Sequence, residues 1–155
     1  MMRIVGATLA LAVLPSLVTA QQKEAPMSHH AHGTFSVKVA PMTPAPAEGL
    51  ARFSIDKEIH GDLEATTKGE MLTGGDPKSG TAGYVAIELV TGILAGKHGS
   101  FALQHFATMD QDGPKMSVAV VPGSGTGELK GISGTFTIRI EKAQHFYDLD
   151  YTLPE

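Results

Sequence analysis

Val120-Val121-Pro122-Gly123-Ser124-Gly125-Thr126-Gly127-Glu128-Leu129-Lys130-Gly131-Ile132-Ser133-Gly134 stands between two alternating apolar segments, Met116 to Val121 and Thr135 to Glu141. Glycine at this density inside a strand pattern marks a sharp corner of a β-protein, where positive φ or a close backbone approach is required. The run is not a phosphate loop. Such a loop ends Gly-Lys-Ser/Thr and opens a helix, whereas Lys130 precedes Gly131, Ile132 and then a segment with strand period. Ser124 is no hydrolase nucleophile either, because the nucleophile elbow needs Gly-x-Ser-x-Gly between a strand and a helix.

The same period extends outward from this corner in both directions. Phe35, Val37 and Val39 alternate with Thr34, Ser36 and Lys38, a Pro-rich connection runs from Pro41 to Pro46, and Phe53, Ile55 and Ile59 resume the pattern. Gly61-Asp62 is a turn signal before Leu63 to Met71. Gly74 to Gly80 is a loop before the strongest pair, about Ala82 to Leu94 and Ser100 to Met109. Asp110 to Pro114 turns the chain into Met116 to Val121, and His145 to Leu153 follows Thr135 to Glu141. No sustained helical period appears beyond the N-terminal apolar run. About eight short strands in one small domain predict an all-β fold, a small antiparallel β-barrel, with a sandwich as the alternative.

Met1-Met2-Arg3, the apolar run Ile4 to Val18, and Val18-Thr19-Ala20 before Gln21-Gln22-Lys23 read as a secretory signal peptide, residues 1–20. The run is short, is interrupted by Pro15, and has no cysteine to take a lipid, so no stable membrane insertion is expected after cleavage. Residues 21–31 read as a flexible polar leader and 32–155 as the single barrel domain. The protein is therefore expected outside the cytoplasm, periplasmic or secreted. With no cysteine in 155 residues, burial and strand pairing must hold the fold. A net charge of −4 and the lack of basic clusters argue against nucleic acid, and three Tyr, six Phe and no Trp are thin for sugar stacking.

Gly83-Tyr84-Val85-Ala86-Ile87-Glu88-Leu89-Val90 is apolar on both alternating sets. One set fills the barrel. The other, Val85, Ile87 and Leu89, needs a cover from a loop, the leader or another subunit, so a homo-oligomer is expected.

Gly96-Lys97 suits a two-residue type II′ turn. Pairing Ala95 with His98 then sets Glu88 across from His105, Val90 from Leu103, Gly92 from Phe101 and Tyr84 from Met109, all on one face. A four-residue loop closed by Leu94 and Gly99 keeps that register. A desolvated carboxylate holding an imidazole is a workable general acid–base unit, and Glu88 and His105 are the candidate catalytic pair. The structural alternative is a buried polar link that fixes strand register. A catalytic pair predicts a solvent-reaching cavity beside it, and a structural pair predicts dense packing.

Lys57 falls on the apolar set of its strand and either joins this group or snorkels outward. With Tyr84, Phe101, His145 and Tyr147 it completes the candidate ligand-binding set for a small apolar molecule in the lumen, although core packing accounts equally for the aromatics. His29-His30-Ala31-His32 resembles a metal tract but lacks supporting geometry, so neither metal nor cofactor is expected. A carboxylate peptidase needs a second acid beside Glu88, and Glu58, Glu64 and Glu70 are the residues to check.

Gly33-Thr34-Phe35, Gly61-Asp62-Leu63-Glu64, Gly83 through Glu88, Gly99 through His105 and the Pro122 to Gly131 corner resemble the uncharacterised bacterial family DUF3224. The likeness spans nearly the whole chain after residue 20. Through Gly125-Thr126-Gly127 and Gly131 to Gly134 it is also similar to the allene oxide cyclase and dirigent barrels, which implies an eight-stranded antiparallel barrel that oligomerises. The resemblance implies no reaction, since fold does not carry function over such distance. The leading expectation is an exported barrel that binds a small apolar ligand or a protein partner. The alternative is an acid–base isomerase, cyclase or hydrolase using Glu88 and His105.

Overall fold

The computed structural model describes residues 27–154, so the signal-peptide reading of residues 1–20 lies outside the described residues. Eight strands close into one antiparallel barrel in chain order: β1 (Ser28–Met42), β2 (Leu50–Gly61), β3 (Leu63–Asp76), β4 (Thr81–Leu94), β5 (Lys97–Asp110), β6 (Gly113–Val120), β7 (Ser133–Glu141) and β8 (Gln144–Thr152). The sandwich alternative is excluded by this closure. Two single-turn 3₁₀ segments, Pro77–Ser79 and Gly127–Leu129, are the only helical elements among the described residues.

Ser28 to Ala31, expected to end a polar leader, instead open β1. They pair with Thr152 to Leu149 on β8, because the barrel's last seam supplies partners for their backbone groups. Alternation then separates the histidine tract. His29 stacks on Tyr151 with ring centroids 5.2 Å apart, while His30 and His32 face outward toward Asp150 and Asp62.

The hairpin between β4 and β5 differs from the turn expected at Gly96-Lys97. Leu94 pairs with Lys97, so the central residues are Ala95 and Gly96, both with positive φ (49° and 79°). That is the pattern of a type I′ turn. Ala95 tolerates the unfavourable region while its N–H donates to the Asp62 carbonyl of the neighbouring turn at 3.3 Å. The register moves by two residues: Glu88 lies across from Leu103, His105 from Ala86, Tyr84 from Ala107 and Val90 from Phe101. A shift of two preserves the face of every side chain, so Glu88 and His105 become diagonal neighbours on the same inner surface.

One end of the barrel is capped by the glycine corner. Thr126 N–H donates to the Ser100 carbonyl at 2.8 Å, Val121 N–H to the Ala102 carbonyl at 2.9 Å, and Leu129 and Ile132 are fully buried beneath. Gly99 makes this docking feasible: a Cβ there would lie 2.2 Å from the Thr126 carbonyl oxygen. The main core fills this capped half, with Leu63, Leu94, Phe101, Phe136, Tyr147 and Leu149. At the other end Val39, Met116 and Ile140 belong to the inward set of their strands yet stand exposed. Between β6 and β7 the wall is held by one bridge, Ala119 to Thr135, and the strands diverge around a cleft of about 200 Å³.

Candidate functional site

Lys57, Thr67, Glu88 and His105 come from four adjacent strands and meet inside the barrel just above the apolar core. Each lies on the inward set of its strand, and their exposures are 5%, 1%, 0% and 3%. Such burial of charge demands full pairing, and pairing is what the geometry provides. Glu88 Oε1 accepts from Lys57 Nζ and from His105 Nε2 at 2.8 Å. Thr67 Oγ1 donates to Glu88 Oε2 at 2.9 Å and accepts from the Lys57 backbone N–H at 3.1 Å. Among the described residues no buried side-chain nitrogen or oxygen lacks a partner.

Thr67 and Gly69 are the members that alternation alone does not reveal. Gly69 lies across from Glu88, and a Cβ there would be 2.5 Å from both Glu88 Cβ and the Ile87 carbonyl oxygen. Its bare Cα lets β3 close onto β4 at the carboxylate, which brings Thr67 within reach of Oε2.

Burial by itself would raise the Glu88 pKa, but the His105 hydrogen bond and the charge and hydrogen bond of Lys57 outweigh it, holding it at about 2. The sign of the resulting pH effect follows directly. A depressed folded-state pKa stabilises above the ordinary value near 4.5 and is lost as pH falls from there toward 2, on the order of 3 kcal/mol in all. His30 works oppositely: its hydrogen bond to Asp150 raises its pKa, so its contribution is present below about 6.5 and is lost as pH rises through the raised value. Urea midpoints recorded from pH 7 to pH 2 are expected to fall steeply below pH 4.5 in the native chain. Glu88→Gln should flatten that acid limb. An acid limb of unchanged steepness would remove Glu88 as its source.

The other expected site residues divide between two levels of the lumen. Tyr84 is half-buried near the carboxylate, and burial first, then the Glu88 charge, raises its hydroxyl pKa. His145 packs on Phe35 at 5.0 Å, and the Lys57 ammonium sits over the same Phe35 ring, 5.1 Å from its centroid. Phe101 and Tyr147 lie lower, in the core. Tyr147 stacks on Phe136 at 5.1 Å and its hydroxyl accepts from the Leu63 N–H at 2.9 Å, with burial pushing its pKa up to about 12. Glu58, Glu64 and Glu70 all point outward, so none stands beside Glu88 as a peptidase partner; Glu64 bonds His60 and Glu70 bonds Arg52.

In chemical terms, Glu88 fixes His105 by Nε2 and leaves Nδ1 as the remaining ring nitrogen. Glu88 and His105 line none of four concavities among the described residues, whereas Lys57 and Thr67 line one of about 420 Å³ between β1, β2 and β3. The largest of these four lies outside the barrel. It encloses about 830 Å³ between the loop bearing Pro44 and Pro46 and the outer surface of β2 to β5, with Leu72, Val85 and Ile87 as its floor and Arg52 and Glu70 at its edge. Val85 and Ile87 of that floor belong to the second apolar set of β4 and are 50% and 51% exposed; Leu89, the third member of the set, is 49% exposed and lies beyond the groove.

Residues 31–151 match the family model of DUF3224, a protein of unknown function. The chain belongs to the DUF3224 family. Its barrel is similar to a crystal structure of a DUF3224 protein of unknown function from Shewanella oneidensis MR-1, with 42% identity, a TM-score of 0.75, and coverage of 83% of this chain and 100% of that one. No curated protein matches the chain. The DUF3224 likeness thus carries the fold and no activity, and the chemistry must be argued from the side chains.

Proposed function

We propose that this DUF3224 barrel is a binding module that holds a small apolar molecule on its outer surface, with the buried Lys57–Glu88–His105–Thr67 group holding the barrel together. The groove under Pro44 and Pro46 carries the reading: its volume of about 830 Å³ falls in the range of small-molecule sites, and its floor is aliphatic with polar groups only at the rim. The N-terminal sequence Met1 to Ala20 supports export and a site of action outside the cytoplasm. Kinship with the allene oxide cyclase and dirigent barrels is supported by the closed eight-stranded architecture and the Gly125-Thr126-Gly127 corner.

Nile red, a neutral apolar fluorophore, is expected to bind the chain with saturable gain of emission. Ile87→Asp puts a charge on the groove floor and should weaken binding at least tenfold, since burial of an aliphatic side chain contributes about 1.5–3 kcal/mol. Its melting temperature should stay close to that of the native chain, because Ile87 is already half in water. Equal Nile red affinity in native chain and variant would sink the groove reading.

A second reading is favoured by apolar surface that the groove does not use. Leu89, Ile93 and Phe106 are 49%, 37% and 56% exposed on the same outer face, beyond the groove lining. We propose that a second copy of the chain covers them. Native mass spectrometry is expected to show a dimer or larger assembly that Phe106→Glu dissociates, and a native chain that stays monomeric at micromolar concentration removes this reading.

A further inference from the structure

We propose that the ligand of the outer groove is an amphipathic carboxylate, with its apolar body laid on Leu72, Val85 and Ile87 and its carboxylate held by Arg52. The inference rests on the groove reading above and adds the chemical class of the occupant. Arg52 is the cation at the groove edge. Its Nε and Nη2 hold Glu70 in a forked pair at 2.8 to 3.1 Å, and its Nη1 has no hydrogen-bond partner among the described residues. A guanidinium offers five donors in a planar fork that matches a carboxylate, so two of them remain for a second anion.

Glu70 competes for the other three from the solvent side. The two side chains are 34% and 54% exposed, so water screens the pair, although its forked geometry is the stronger form of an exposed ion pair. Glu70 gains only that contact from Arg52. A ligand carboxylate gains the contact together with burial of its own apolar body on the aliphatic floor, at about 0.8 kcal/mol for each methylene removed from water. The register places these groups within one patch: Arg52, Leu72, Val85 and Phe106 form one cross-strand row, and Glu70, Ile87 and Gln104 form the next. Gln104 adds an amide at the far side of the groove.

Decanoate and 1-decanol, both below the concentration at which they aggregate, separate the groove from the headgroup. Isothermal titration of the chain at low ionic strength is expected to show decanoate binding at least tenfold more tightly than decanol. Arg52→Gln should bring the two within twofold of one another. Glu70→Gln removes the resident competitor and should tighten decanoate severalfold while leaving decanol unchanged. Equal affinities for the two compounds in the native chain, or tighter decanoate binding that survives Arg52→Gln, would overturn the carboxylate inference while the groove reading stands. Failure of both compounds and of Nile red would overturn the groove itself.

Discussion

Glu88→Leu is expected to lower the free energy of unfolding by about 3–5 kcal/mol, the usual cost of removing one partner from a buried charged group. The loss arises less from the missing carboxylate than from what it leaves behind. Lys57 and His105 are almost fully buried and both donate to Glu88 Oε1, so the substitution strands two donors in an apolar lumen. Against a typical total of about 5–15 kcal/mol for a domain, that is a large fraction. Chemical denaturation of the single variant measures it. The triple variant Lys57→Met, Glu88→Leu and His105→Phe removes the stranded donors as well, and should recover most of the loss. A single variant as stable as the native chain would show that the group does not hold the barrel together.

Gly69→Val should prevent the barrel from forming at all. Its Cβ would sit 2.5 Å from Glu88 Cβ and from the Ile87 carbonyl oxygen, and 2.7 Å from Glu88 Cα. These are backbone and near-backbone atoms of β4, which cannot yield without breaking the ladder along β3. Gly74, on the same strand, provides the contrast. There the nearest obstacle to a Cβ is Leu50 Cδ2 at 3.3 Å, the end of a side chain that can move. Gly74→Ala is therefore expected to change stability by less than about 1 kcal/mol, whereas Gly69→Val should yield no folded protein by circular dichroism. A folded Gly69→Val chain would mean that β3 and β4 separate at Glu88 without penalty.

The strands were legible because their alternation is strong and the turns carry glycine, and the double apolar character of β4 was legible as a strand with something to cover outside. The placing of Glu88 and His105 on one inner face also followed from parity, which left Lys57 open between joining them and snorkelling outward. It survived a wrong turn assignment, since a two-residue slip leaves every side chain on its own face. The turn itself was misread because Ala95 in a left-handed conformation is unfavourable locally and is held there by Asp62, thirty-three residues away in sequence. Thr67 escaped notice because β3 beyond Leu63 presents Ala65, Thr67 and Gly69 inward, too small to register as a hydrophobic period. The groove was hidden for another reason: alternation says which residues face outward, but not that the Pro44–Pro46 loop comes to stand beside them.

The single Ala119–Thr135 bridge means that this barrel is in effect a rolled strip fastened by one stitch. Its free borders are β6 and β7, two interior segments of the chain, while the first and last strands lie mid-strip and are paired along eight positions. Unrolling need not begin by fraying the ends. The borders also carry their own deterrents to a foreign strand: Pro114, without an amide hydrogen, and Lys115 on one side, with Arg139 and Glu141 on the other.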